Sequence, residues 1–343
     1  MDLVSVTERT TLIDPSGARA EQLIEHRTDP LTGAVASINA ALGDKAKAFL
    51  GAADVALLQD LQEKTRGGCP FCAAAEKGTR FLPGLAPEGQ LRIGDALAMP
   101  NLFSKCAVDS VVVVDPARHV LFPSQVSERA LADAILASGE LVRRARAGDA
   151  ALVHHVAGMN FLQPGGSSVP HPHFQVHVRA VPYSALARAM GAAADHRART
   201  GRPFFEELLE RERGGPRHVG ATGPVEWLAA FAPSHQKEIW GLLPGVESLA
   251  EVTAAQAAGF AAGMARVLSF YEESGTHAFT LAFHSSPEPR KDSGWMLHVK
   301  LCSRPAFRPL YPNYDTWFAP LFMGDDVHLE APESYAARLR DRW

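Results

Sequence analysis

The chain has only four cysteines in 343 residues, and Cys69, Cys72, Cys106 and Cys302 do not frame a disulfide scaffold. It has no uncharged apolar run long enough to span a bilayer. Strong charge of one sign is also missing: 34 Lys and Arg against 38 Asp and Glu leave a net charge of −4, which does not suit a nucleic-acid coat. The N-terminus, MDLVSVTERTTLIDPSG, lacks the basic start and apolar core of a secretory signal. A cytoplasmic protein without nucleic-acid or membrane partners is the expectation. The hydrophobic content, 46%, is enough for a large core in one or two domains.

The most informative stretch is Gly165-Gly-Ser-Ser-Val-Pro-His-Pro-His-Phe-Gln-Val-His177, where His171, His173, Gln175 and His177 recur at every second residue. Side chains two apart in a strand share a face, so these four form one polar row. Burying an imidazole without a partner costs on the order of a few kcal/mol. A row this dense therefore points to a ligand rather than to an ordinary strand. Gly165-Gly166 lets a backbone approach a phosphate closely, with hydroxyls from Ser167 and Ser168, although Gly-Gly-Ser-Ser alone also marks a plain turn.

Cys69-Pro-Phe-Cys72 follows Gly67-Gly68. Two thiolates at this spacing are a common half of a tetrahedral zinc site. A redox pair is the competing reading, but the preceding stretch does not resemble the strand of a thioredoxin-type unit. His119 follows the strand-like Ser110-Val-Val-Val-Val-Asp115 and lies in a connection.

In chain order, Asp29-Pro-Leu-Thr-Gly33 reads as a turn, followed by an Ala-rich helical run through Leu61. Ser127 caps a helix, and a strand at Ala151 to Ala157 enters the glycine turn past Asn160. The second half repeats this order. Strands around Trp227 and Glu238, a helix from Thr253 to Glu273, then strands at Ala278 to His284 and Trp295 to Cys302 echo the first half. The repetition predicts a duplicated α+β unit with largely antiparallel strands.

Ser168-Val-Pro-His-Pro-His-Phe-Gln175 resembles the signature of the galactose-1-phosphate uridylyltransferase-like branch of the histidine-triad (HIT) superfamily, which includes nucleotide-sugar and dinucleoside polyphosphate phosphorylases. The likeness extends over Asp29 to Gly33, the Cys69/Cys72 pair, His119, Asn160 and the second half from about Arg202. It implies an α+β fold of two HIT-like units, each a mainly antiparallel sheet with packed helices. Residues 1–195 would form the catalytic half with the zinc site, and 196–343 a degenerate half for packing and an acceptor pocket.

The resemblance implies that His173 is a nucleophile that forms a nucleotidyl-histidine, with Gln175 donating to a phosphate oxygen. Asn160, Asn101, Ser167 and Ser168 are the implied substrate contacts. Cys69, Cys72, His119 and His171 are the implied ligands of a structural zinc ion. The expected enzyme is a ping-pong nucleotidyltransferase acting between a nucleotide and a phosphorylated small molecule, assembled as a homodimer. A phosphorylase or hydrolase, or a non-catalytic nucleotide-binding protein, is the alternative. Gln175 speaks against hydrolysis, because hydrolytic members carry histidine there.

The chain departs from the branch in several places. The basic pair expected after the Pro-Leu-Thr-Gly turn is replaced by Ser37 to Lys47, with Lys45 and Lys47 displaced. Lys300 stands where a second metal would need histidine beside His284 and His298, so no second metal is expected. Leu310 to Met323 does not match a hexose-binding pattern, which makes galactose an unexpected acceptor. Tyr311, Tyr314, Trp317 and Phe318 read mainly as core, with an interface or acceptor pocket as alternatives. His177 either caps the polar row or assists a proton transfer, the cap being preferred.

Overall fold

A computed structural model describes residues 1–43, 51–288, 293–310, 313 and 315–343. Lys45, Lys47, Tyr311 and Tyr314 lie outside the described residues.

The strands form two sheets. The smaller contains β1 (Val4–Ile13), β2 (Arg19–Thr28), β3 (Val35–Ile38) and β14 (Asp326–His328) in the order β1-β2-β3-β14, with β14 parallel to β3. The larger is built from β4 (Leu91–Ile93), β5 (Ala96–Pro100), β6 (Val108–Val113), β7 (His154–Phe161), β8 (His173–Arg179), β9 (His218–Thr222), β10 (Val225–Ala229), β11 (Ile239–Leu243), β12 (Phe279–His284) and β13 (Leu297–Ser303). Its order is β4-β5-β6-β8-β7-β12-β13-β11-β10-β9, antiparallel throughout. This order reads alike from either edge, with β7 and β12 at the centre. The fold is α+β with mostly antiparallel sheets, as the sequence repetition predicts.

Among the described residues the longer helices are α1 (Val55–Arg66), α2 (Glu128–Gly148), α3 (Ser184–Thr200), α4 (Phe204–Glu212), α5 (Ala254–Glu273) and α6 (Pro332–Arg340). Local chemistry starts the long ones. The Ser127 hydroxyl accepts from Ala130 N, and Thr253 with Gln256 closes a reciprocal capping box at α5. Such caps contribute about 1 kcal/mol each. Strand alternation then divides the sheet. Phe174, Val176 and Val178 on β8, with Ala157, Met159, Phe161, Leu281 and Phe283, turn to the face covered by α2 and α5 and form the main core. The residues between them turn to the opposite face. Period two thus sorts packing from chemistry within single strands.

Three local expectations change. The stretch after Asp29–Gly33 begins with β3, which pairs with β2 and β14, before any helix forms. The strand expected at Ala151 to Ala157 runs instead from His154 to Phe161, so Asn160 belongs to it. Trp317 and Phe318 are not core: they are 37% and 63% exposed and lead into Leu321, Phe322 and Met323, which are exposed as well. Nothing in their local composition marks this, because burial of an aromatic depends on what packs over it. Residue 195 falls within α3, and both halves contribute to the large sheet.

Candidate active site and metal centre

The expected row of four polar residues is divided by Pro172. β8 begins at His173, and His171 lies just outside it, where the Pro172 carbonyl accepts from Val114 N. His171 therefore leaves the strand face and meets Cys69, Cys72 and His119. Cys69 Sγ and Cys72 Sγ lie 3.5 and 3.6 Å from His171 Nδ1, Cys72 Sγ lies 3.5 Å from His119 Nδ1, and the two Nδ1 atoms are 3.3 Å apart. A tetrahedron with zinc–nitrogen and zinc–sulfur bonds of ordinary length has N···N edges of about 3.3 Å and S···N edges of about 3.6 Å. The four residues can hold a metal ion, and the ligand atoms lie within 4.8 Å of one another.

The hydrogen bonds around the cluster fix the tautomers. His171 Nε2 donates to the Asp115 carbonyl at 3.1 Å. Thr65 Oγ1 donates to the Leu61 carbonyl, so its contact with His119 Nε2 at 2.9 Å is one that it accepts. Both imidazoles thus carry hydrogen on Nε2 and turn the Nδ1 lone pair toward the cysteines, as metal ligation requires. Burial pushes His171 down to about 4 and also lowers His119, keeping both neutral. Burial and the neighbouring Cys69 push Cys72 up to about 11. A cation shared by the two thiols would offset the cost of ionising them.

His173 sits on the face opposite the main core and is 5% exposed. Its Nδ1 donates to the His171 carbonyl at 2.7 Å, leaving the Nε2 lone pair free of hydrogen. The Phe71 ring, between the two cysteines in sequence, packs edge-on at 4.7 Å. Burial lowers the His173 pKa, so the imidazole is neutral at neutral pH. Gln175 follows on the same face and pairs across β7 with Gly158, which pairs with Ala282 and so with Lys300. The two smallest residues therefore floor the sheet between an amide and an ammonium. A side chain at Gly158 would also crowd the Leu281 carbonyl at 3.1 Å.

The glycine turn lies at the end of this face. A Cβ at Gly165 would meet the Phe279 carbonyl at 2.6 Å, and Gly166 has φ +84° beside the Asn160 amide. Both positions need glycine. Ser167 is buried and donates to the Val169 carbonyl at 2.8 Å, whereas Ser168 is exposed. Asn101 stands at the end of β5, where its Nδ2 donates to Asp109 Oδ1 at 3.2 Å and its Oδ1 accepts from Phe103 N at 3.1 Å. Both of its amide atoms thus shape the turn.

His177 pairs at Nδ1 with the Tyr183 hydroxyl, while its buried Nε2 lies 3.5 Å from Asp109 without a hydrogen-bond partner among the described residues. This favours a structural cap of the polar row. In the second half, His298 Nδ1 donates to the Met296 carbonyl at 2.8 Å, the same relation that His173 has to His171. Its ring stacks on His284 at 4.8 Å, and Lys300 Nζ lies 4.0 Å from the Trp240 ring centre. Thr65, Asp109 and Thr280 were not legible as site residues from sequence. Gly158 carried a signal, since glycine inside a strand marks a close approach.

No protein-family model matches the chain. An uncharacterized protein of Archaeoglobus fulgidus is 28% identical over 330 residues, spanning 95% of this chain and 94% of that protein. An ADP-glucose phosphorylase from Arabidopsis thaliana, solved with bound ADP-glucose, superposes with a TM-score of 0.71 at 14% identity, covering 93% of this chain and 99% of that one. A galt-like protein from the same plant gives 0.69 at 15% identity, over 93% and 98%. A uridylyltransferase mutant gives 0.66 at 19% identity, over 92% and 96%. Among the described residues no helix is long and apolar enough to cross a membrane. The chain shares the fold of these phosphorylase, galt-like and uridylyltransferase structures, an α+β fold of mostly antiparallel sheets with packed helices.

Proposed function

We propose that the protein is a nucleotidyltransferase that moves a nucleoside monophosphate through His173 to a phosphate-bearing acceptor, either a sugar phosphate or inorganic phosphate. The observation that carries this reading is the bond from His173 Nδ1 to the His171 carbonyl, which leaves Nε2 as an unprotonated nucleophile. The Nε2 lone pair attacks the α-phosphorus, and the bond to the departing phosphate breaks with its electron pair. The modified ring then carries phosphorus on Nε2 and hydrogen on Nδ1. It is cationic, and the carbonyl stabilises it without any proton moving. Attack by the second phosphate expels the neutral imidazole again. Gln175 donates its amide to a nonbridging oxygen, where the bond strengthens as charge shifts in the transition state. Asn160 and Ser168 border the nucleotide.

Cys69, Cys72, His119 and His171 would hold zinc, a closed site that contributes to folding and leaves no position for water. Their part is to fix His171, and through its carbonyl the direction of His173. The test is mass spectrometry of protein incubated with nucleotide sugars and dinucleoside polyphosphates. A nucleoside monophosphate adduct on His173 is expected, and its absence with every donor would overturn the reading.

A further inference from the structure

The second half brings a cation to the glycine turn. Thr280 pairs with Asn160 across β12 and β7, and its hydroxyl donates to the Gly165 carbonyl at 3.2 Å. Arg304 extends the β13 register by one step, its backbone N–H donating to the Ala278 carbonyl at 2.9 Å, which sets it on the same sheet face as Thr280. Its Nη1 donates to Thr280 Oγ1 at 3.2 Å. Continued two residues past its last pair, Gly158 with Gln175, the β7–β8 register sets Asn160 across from His173. Thr280 is therefore two strands from the nucleophile, about 10 Å between backbones.

The anion facing Arg304 is incompletely satisfied. The side chain of Asp315 is only 3% exposed, and it meets Arg304 Nε through Oδ2. Its Oδ1 is buried with no hydrogen-bond partner among the described residues. A buried carboxylate that leaves a guanidinium fork half used is a poor match, because arginine pairs best through two parallel bonds. A phosphate dianion carries more charge and offers three oxygens to the same fork and to the Asn160 amide.

We propose that Arg304 is the phosphate-binding cation of this site, and that Asp315 is its counterion until a phosphate dianion takes that place. The ligand is inorganic phosphate or a phosphomonoester, which share this chemistry. The inference rests on the nucleotidyl-transfer reading, whose departing and incoming groups are both phosphates, but its test does not need turnover.

Calorimetric titration of the full chain with inorganic phosphate, and separately with glucose 1-phosphate, measures the site directly. Arg304→Gln should weaken binding by about tenfold to a hundredfold, the range for losing a charged hydrogen bond. Arg304→Lys should recover part of it, keeping charge without the fork. Asp315→Asn should tighten binding severalfold, an outcome that a merely structural ion pair does not give. Binding of inorganic phosphate alone would assign the acceptor as free phosphate, and binding of both would place the phosphoryl group as the recognised feature. Unchanged affinity in Arg304→Gln, or weaker affinity in Asp315→Asn, overturns the proposal. If Arg304→Gln does not fold, the Lys and Asn variants decide the question. Failure of wild-type protein to form a His173 adduct would defeat the nucleotidyl-transfer reading instead, leaving the calorimetric result to stand by itself.

Discussion

The His171 carbonyl accepts the Nδ1 hydrogen of His173 at 2.7 Å while the His171 ring faces Cys69, Cys72 and His119. One residue thus joins the candidate metal cluster to the proposed nucleophile: its side chain faces one and its backbone carbonyl the other. A metal that fixes the His171 ring also fixes the carbonyl that orients His173.

Purified protein should contain about one zinc per chain, as expected for a closed four-ligand site. Cys69→Ser should abolish metal binding and lose folding before it loses chemistry, because such sites contribute on the order of 10 kcal/mol of folding free energy. Metal analysis together with thermal unfolding checks this. A folded, active preparation without metal would remove the idea.

His173→Gly should eliminate adduct and turnover while metal content stays at the wild-type level, since this side chain is not a ligand. On the proposed reading, the wild-type protein should follow ping-pong kinetics with net retention at phosphorus, the result of two in-line displacements. Inversion would require direct attack by the acceptor.

Gln175→Ala should slow turnover by about a hundredfold or more, the consequence of losing one transition-state hydrogen bond. The effect should fall on kcat rather than on nucleotide affinity. A comparable loss in binding would mean that Gln175 holds the ground state equally well.

Stability should fall with acid below pH 6.5. His155 is 2% exposed, its Nε2 accepts from the Ser285 hydroxyl at 2.6 Å, and burial pushes its pKa down to about 4. The unfolded chain, with an ordinary value near 6.5, binds a proton that the native state refuses. Stability is therefore full above pH 6.5 and drops as pH approaches 4, by about 3 kcal/mol for this group. Urea unfolding of His155→Gln between pH 7 and 5 should show a slope smaller by about one proton, and equal slopes would exclude His155 as the source.

Trp317, Phe318, Leu321, Phe322 and Met323 are all exposed. Neighbouring apolar side chains of this size favour association, so light scattering should give a dimer of the 36.9 kDa chain. A monomer at micromolar concentration would exclude it.

Much of this was decided by local pattern. The alternation in His-Phe-Gln-Val-His places Gln175 beside His173 whatever surrounds them, because strand geometry sends every second side chain to one face. Ser127 and Thr253 announce helix starts by satisfying free N–H groups within their own turns. The Cys69/Cys72 spacing likewise declares half of a ligand set.

What the sequence by itself could not decide was the partner of each polar group. Only the tertiary structure turns Ser167 onto the Val169 carbonyl, sets His177 Nδ1 against the Tyr183 hydroxyl, and leaves Trp317 and Phe318 in solvent. It also brings Thr280, more than a hundred residues downstream, against Gly165, and Arg304 against Thr280. The physical reason is range. Backbone periodicity and capping act over a few residues and are written in adjacent letters, whereas hydrogen-bond partners and burial are set by strands that meet only after the chain has folded.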